Sequence, residues 1–449
     1  MGGAGSPTSD RGTEPELIRA IGTRDLAANI INLVVGAGIF VLPALVFAEI
    51  GTASFLAYLV CAVAIGLVFL CFAEIGSRVT TSGGAYAYIE AAFGPFAGFL
   101  TSTLLWFAYA VMSDAAIANV LYESLASAVP GLGGRATRVA FMLVIFGGLA
   151  AINISGVRHG ARFVFALTVI KLAPLLLLVL VGLPQIEGEH LLVDGSWPSV
   201  ERLGAASLLL FFAFGGAESA LTPSGEIVRP AKTVPRALLL GVGGVFVLYL
   251  AIQIVAQGVL GPSLAAHPDT PLAATADHIL RGAGLLLIAG VSISIFGTLS
   301  GDLLASPRAI FAAAENGHLP AFLAAVHPRY RTPHVAIVVF AALTCGIAIS
   351  GAFTFLAVAS SAALLLIYLG CSLAVFRLRR RDVGGNDKAF RAPGGPVVPA
   401  ASCLIILWLL SHVTVAEAGV LGSILVAAAL YYMIRRKSMT ASNTTQGTN

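Results

Sequence analysis

The stretch Asn32-Leu33-Val34-Val35-Gly36-Ala37-Gly38-Ile39-Phe40, with Pro43 close behind, decides how this chain is read. It is apolar enough to lie in a membrane, yet it carries glycine and proline where a helix tolerates them least. A second stretch repeats the pattern: Phe211-Phe212-Ala213-Phe214-Gly215-Gly216-Ala217-Glu218, with Pro223 close behind. In lipid an unpaired peptide group costs several kcal/mol, so a broken helix survives only where it lines a protein-buried cavity. Gly36 lies twelve residues past Arg24, and Glu218 eleven before Arg229. Each is therefore roughly 16–18 Å of helix from a basic flank, near the midplane of a ~30 Å hydrocarbon core. One such cluster alone reads as small residues at a helix–helix contact. Two at matching depth point to a binding site between two broken helices.

Composition agrees with a membrane chain. Of 449 residues, 58% are hydrophobic and 11% charged, and the mean hydropathy is +0.92. The net charge of +4 carries no nucleic-acid signal, because the basic residues sit in loops between apolar runs. Twelve apolar stretches have about the length of a span: 27–49, 53–76, 96–122, 139–154, 163–183, 203–223, 237–260, 283–307, 335–350, 352–376, 397–411 and 413–434. The joins near Gly351 and His412 are tight. With the N-terminus inside, 21 Lys and Arg fall on the inner side and four on the outer, which places both termini in the cytoplasm of a cell-membrane protein. A single transmembrane domain over 21–437 is expected, with disordered tails at 1–20 and 438–449. Thr80 to Phe93 and Ala314 to Val326 read as short interfacial helices. Gly36 and Gly215 are 179 residues apart and lie on spans of opposite direction. That fits an all-α five-plus-five inverted repeat, about 27–183 and 203–376, with two extra spans over 397–434.

The breaks carry the expected chemistry. A half-helix N-terminus suits a carboxylate, and freed carbonyls suit an ammonium. Val35, Gly36, Ala37, Gly38 and Ile39, with Phe212, Ala213, Phe214 and Gly215, are expected to bind a zwitterion largely through main chain. Charges inside spans are expensive and default to functional readings. Lys171 sits nine residues past Arg162, roughly 13 Å into the membrane, and Asp302 six before Arg308, roughly 9 Å in from the same side. The two can meet in the inner half. Glu218 lies beside the second break, as a functional acid or as a cap on freed amides; Asp114 lies in the outer part of the third span. No acidic cluster faces the cavity in this reading, so a neutral amino acid is favoured. The five cysteines, Cys61, Cys71, Cys345, Cys371 and Cys403, all lie in apolar runs without CxxC spacing and read as buried hydrophobes. Neither a metal nor another cofactor is expected.

Several motifs together resemble the amino acid–polyamine–organocation (APC) transporters. Gly36-Ala37-Gly38-Ile39-Phe40 resembles that family's GxGIF break in the first span. FAEIGSRVTTSGGAYAYIEAAFGPFAGF, from Phe72 to Phe99, resembles its passage from second to third span. Phe214-Gly215-Gly216-Ala217-Glu218 resembles the sixth-span break, and Glu226, Pro230, Lys232, Pro235 and Arg236 the basic exit from it. Pro307-Arg308, Gly317-His318-Leu319-Pro320 and Thr332-Pro333 resemble the loop between eighth and ninth spans. The resemblance implies the LeuT-type fold and secondary transport by alternating access. It implies that Phe212 can close over a substrate. It also implies that Lys171, as the fifth-span lysine of proton-coupled members, takes the place of a sodium ion held between first and eighth spans in other relatives of the fold. Small hydroxylated residues are its usual eighth-span neighbours; here Asp302 stands near that place, with Thr298 one turn away. Whether Lys171 titrates, as proton symport needs, or stays paired with Asp302, as suits an exchanger, is left open. In either case sodium is not required.

Other classes fit less well. No GxxxxGK[ST] phosphate loop marks a pump, and no filter motif marks a channel. An intramembrane enzyme would need Asp114 and Asp302 as a carboxylate pair, but their counted depths place them toward opposite faces of the membrane. A polyamine or cationic amino acid transporter of the same fold is the alternative, and a non-transporting amino acid sensor a distant one. The expected partners are an amino acid, the lipid bilayer and protons, with no nucleic acid, in a monomer or homodimer.

Overall fold

A computed structural model describes residues 20–446, apart from 80–82, 130, 157–160, 194–196, 223–225 and 382–389, and gives the backbone alone at 161–170 and 436–446. The N-terminal tail through residue 19, Arg158, Pro223 and Lys388 lie outside the described residues.

Apolar runs bounded by Gly, Pro and basic residues become helices, because only a helix satisfies its own backbone in lipid. The first break separates α1 (Thr23–Val34) from α2 (Gly38–Ile50), which leads into α3 (Phe55–Arg78). Next come α4 (Ala85–Phe93) and α5 (Pro95–Thr103). A π-helical stretch over Leu104–Val111 continues α5 into α6 (Met112–Ala128). α7 (Arg135–Ile154), α8 (Ala161–Gly182) and α9 (Val200–Phe211) bring the chain to the second break. Beyond it lie α10 (Pro230–Leu260), α11 (Pro271–Ile279), α12 (Ala283–Glu315), α13 (His334–Ser350), α14 (Phe353–Arg380), α15 (Val397–Leu410) and α16 (Val415–Gln446). Among the described residues the only β-type contact is an isolated bridge between Ile21 and Ile227. Among the described residues, eight helical segments are long and apolar enough to cross a membrane, and three further apolar helices are shorter.

Local chemistry sets several ends. The Ser199 hydroxyl accepts from the Arg202 amide at 3.2 Å and caps α9. Pro95 and Pro230 occupy the first helical position, where a missing N–H costs nothing. α13 and α14 are separate helices meeting at Gly351 and Ala352, and α15 and α16 are joined by residues 411–414. One expectation differs from what is seen. α12 runs through Arg308 to Glu315, so Ala314–Val326 is a helix end followed by a single 3-10 turn at Ala321–Ala324.

α1 packs along α10, α2 against α9, α3 against α10 and α14, and α12 against α6 and α8. The outward faces stay apolar: Val144, Leu239 and Leu286 are 71–76% exposed, a surface suited to lipid. At one end of the bundle Glu74 of α3 is fully buried. Arg379 of α14 donates to both its oxygens at 2.7 and 2.6 Å, Arg78 reaches it at 3.3 Å, and the Ala392 amide donates at 2.9 Å. This clamp ties α3 to α14 and to the segment before α15.

Candidate functional site

At the first break, Val35, Gly36 and Ala37 are non-helical and the helix resumes at Gly38. The last carbonyls of a helix lack partners in their own helix, and here other helices supply them. The Lys171 ammonium of α8 donates to the Asn32 carbonyl. The Tyr249 hydroxyl of α10 donates to the Val34 carbonyl at 3.0 Å. On the other side of the gap α2 presents its first-turn amides and the positive end of its dipole. Val35 and Ile39 are fully buried, so their side chains belong to packing; Gly36 keeps partial accessibility.

The second break is looser. α9 ends at Phe211, a 3-10 turn spans Phe212–Phe214, and Gly215 is extended at φ −65° and ψ 156°. Gly216 follows at φ +109°, a conformation few other residues adopt. Within the described residues this segment continues as turns and a 3-10 turn at Ser219–Leu221. Glu218 stands across the opening: one carboxylate oxygen accepts from the Gly216 amide at 3.1 Å and from the Tyr368 hydroxyl at 2.6 Å. That is the arrangement of a cap on a freed amide. Phe212 is half-buried, with its ring edge-on to Phe353 at 5.6 Å. Phe214 is buried against Tyr249 at 5.2 Å.

The two breaks touch. A Cβ on Gly38 would lie 3.0 Å from the Phe212 ring and 3.1 Å from the Ala213 Cα, and one on Gly216 would lie 2.8 Å from the Leu33 carbonyl oxygen. A Cβ on Gly36 meets nothing closer than 3.8 Å. The glycines required for close approach are therefore Gly38 and Gly216, whereas the sequence drew attention to Gly36 as well. Gly215 abuts Tyr109, whose hydroxyl would be 2.6 Å from an added Cβ.

Tyr109 leads to a cluster of charge. Its hydroxyl interacts electrostatically with Glu218, Asp302 and Asp114. Asp114 and Asp302 interact through their carboxyl groups. This corrects the expectation that they lie toward opposite faces of the membrane. The reason is helix length. Depth counted from Arg308 underestimates Asp302, because α12 runs on to Glu315, thirteen residues or about 20 Å beyond it. Asp302 also interacts with Lys171, but the two do not close to an ion pair. The Thr298 hydroxyl donates to the Ser294 carbonyl of its own helix at 3.2 Å. Asp114 is 1% exposed, and both its oxygens lack a hydrogen-bond partner. Tyr109 and Asp302 keep partial accessibility, whereas Asp114 does not.

Sequence reasoning missed Tyr249 and Tyr368, which bond at the breaks, Tyr109, which abuts Gly215, and the Glu74–Arg379 clamp. A tyrosine in an apolar run gives no sign of which carbonyl or carboxylate its hydroxyl will meet. Among the described residues no group of three or more His, Cys, Asp or Glu side chains is arranged to hold a metal ion.

Comparison with known proteins adds a family and relatives. The family model described as amino acid permease matches residues 21–445. The serine/threonine exchanger SteT of Bacillus subtilis is 30% identical over 444 residues, covering 96% of this chain and 99% of that protein. The Asc-type amino acid transporter 1 of Mus musculus is 31% identical over 354 residues, 75% of this chain and 66% of that protein. The methylthioribose transporter of Bacillus subtilis is 27% identical over 415 residues, 88% of each chain.

Proposed function

This chain belongs to the amino acid permease family, and from that premise we propose that it carries neutral amino acids across the cell membrane by sodium-independent proton symport or amino acid exchange. It is a multi-pass membrane transporter and not an enzyme. The observation that carries the substrate reading is the contact of the two breaks at Gly38 and Phe212–Ala213. It sets the positive end of α2 beside the extended segment at Gly215 and Gly216, so a carboxylate and an ammonium can be held through main chain. Side-chain discrimination is left to the surrounding space, which suits substrates of uncharged side chain. The relatives named for serine/threonine exchange and for Asc-type amino acid transport support the same reading. Alternating access would be a movement of the broken helices against the rest of the bundle, with Phe212 over the substrate. Both termini would face the cytoplasm, where Lys and Arg are concentrated.

The Lys171 ammonium donates to the Asn32 carbonyl, which supports the reading that it takes the place of a sodium ion beside the first break. The test has two arms. Purified protein is screened by thermal shift against all amino acids and common polyamines, since a ligand stabilises the state it binds. Uptake of the hits into proteoliposomes is then measured with sodium and with choline in its place. Stabilisation by neutral amino acids and equal uptake in both salts are expected. Sodium-dependent uptake, or stabilisation by polyamines and cationic amino acids alone, refutes the reading; the latter is the outcome that the acids near Tyr109 would favour.

A further inference from the structure

The pair Asp114 and Asp302 has an electrostatic problem that the substrate reading leaves unsolved. Asp114, on α6, is 1% exposed, no N–H or hydroxyl donor reaches either of its oxygens, and the group its carboxyl meets is the Asp302 carboxyl on α12. Two carboxylates at such a place would repel each other with little screening on the Asp114 side. Lys171 of α8 acts on Asp302, yet its ammonium is engaged with the Asn32 carbonyl and makes no ion pair with the carboxylate. Tyr109 brings only a hydroxyl, Glu218 is held by Tyr368 and the Gly216 amide, Arg138 of α7 is turned to Asn119 and Glu123, and among the described residues Lys171 is the one cation acting on either carboxyl. Two carboxylates and one ammonium leave one negative charge in excess. One further positive charge balances the group.

We propose that Asp114 and Asp302 share a single proton, and that this pair, rather than Lys171, is the proton-carrying site of the transporter. A proton on one carboxyl cancels the excess charge and donates an O–H to the facing carboxylate, as in other buried acid pairs that share one proton. Lys171 then remains an ammonium throughout, a fixed cation that joins Asp302 to the first break. The surroundings favour a proton over an organic ammonium. Asp114 is closed off, whereas Asp302 keeps partial accessibility, so a proton reaches Asp114 by passing between carboxyls. A substrate ammonium would have to enter beside Lys171. Through Tyr109 the pair adjoins Gly215 at the second break, so occupancy of the substrate site and of the proton site share a wall. The inference rests on the neutral-substrate, proton-symport form of the function proposed above.

The test is infrared difference spectroscopy on the purified protein across pH, reading the C=O stretch of a protonated carboxylic acid. Wild type is expected to show a band at neutral pH that disappears on alkalinisation. In Asp114→Asn the remaining Asp302 faces Lys171 alone, and the band is expected to vanish. In Asp302→Asn the buried Asp114 keeps its proton, and the band is expected to persist without titrating. Glu218→Gln leaves the wild-type band in place. Serine uptake into proteoliposomes runs in parallel: one proton per substrate gives about tenfold accumulation per unit of inward pH gradient, and both aspartate variants lose that accumulation. Absence of the band in wild type, or wild-type titration in either aspartate variant, overturns the proposal. So does loss of the band at constant pH on adding sodium or lysine, which would make the pair a cation site. The wild-type spectrum decides even where a variant fails to fold. If the bands behave as described but no amino acid is taken up, it is the transport reading that fails and not the proton site.

Discussion

At Gly38 the absence of a side chain sets the distance between two helices. A methyl group there would press on the Phe212 ring at 3.0 Å and on backbone at 3.1 Å, and backbone cannot swing aside. Gly38→Ala should therefore cost about 1–3 kcal/mol in overpacking and separate the two halves of the substrate site. The expected result is a lower melting temperature and at least a tenfold loss of amino acid affinity, measured by thermal shift and binding. Gly36→Ala, with 3.8 Å to its nearest neighbour, should fold as wild type, and its effect should be confined to the ligand. Both glycines stand in the same five-residue motif, and no property of the sequence separates them. The motif made the break legible; which glycine touches the second break depends on the rotation of α2 against α9, and only the packed structure fixes that.

Among the elements, the breaks depend on hydroxyls donated by intact helices. Tyr249→Phe removes the donor to the Val34 carbonyl and leaves that buried acceptor unsatisfied. A loss of about 1–3 kcal/mol is expected in thermal unfolding, with substrate affinity reduced because α1 loses its anchor at the break. The Glu74 clamp should be more sensitive. Arg379→Ala takes both guanidinium donors from a carboxylate with no exposure to water. The expected cost is about 3 kcal/mol, and the double variant Glu74→Gln with Arg379→Ala should recover part of it; a melting temperature unchanged in Arg379→Ala would show that Arg78 suffices. The placement of the apolar helices was readable because each is an apolar run closed by Gly, Pro or basic residues. Their ends were less so. Arg308 looks like a membrane flank but lies inside α12, where its guanidinium donates to the Leu303 carbonyl at 3.4 Å. That one misplaced boundary displaced Asp302 in depth and hid its meeting with Asp114.

On the scale of the whole molecule, the asymmetry of 21 basic residues against four leads to an orientation that can be measured directly. Arg135→Cys should react with a membrane-impermeant maleimide applied to intact cells, and Arg329→Cys only after permeabilisation. Four of the five native cysteines are buried and Cys403 is partly so, so background labelling should be low. The reverse pattern would invert the assignment of inside and outside. The π-helical stretch Leu104–Val111 carries a consequence of another kind. It is a place where one residue more than an α-helix needs has been fitted into the third span. It holds Tyr109 against Gly215 and sits just ahead of Asp114, three residues into the helix that follows. Had ancestry left this segment one residue shorter, it would close into regular α-geometry with the flanking turns still in register, and Tyr109, which lies inside the bulge, would be the side chain that shifts away from Gly215. A single deletion in this short segment is therefore enough to part a tyrosine from the second break, with every helix and both glycine motifs left intact.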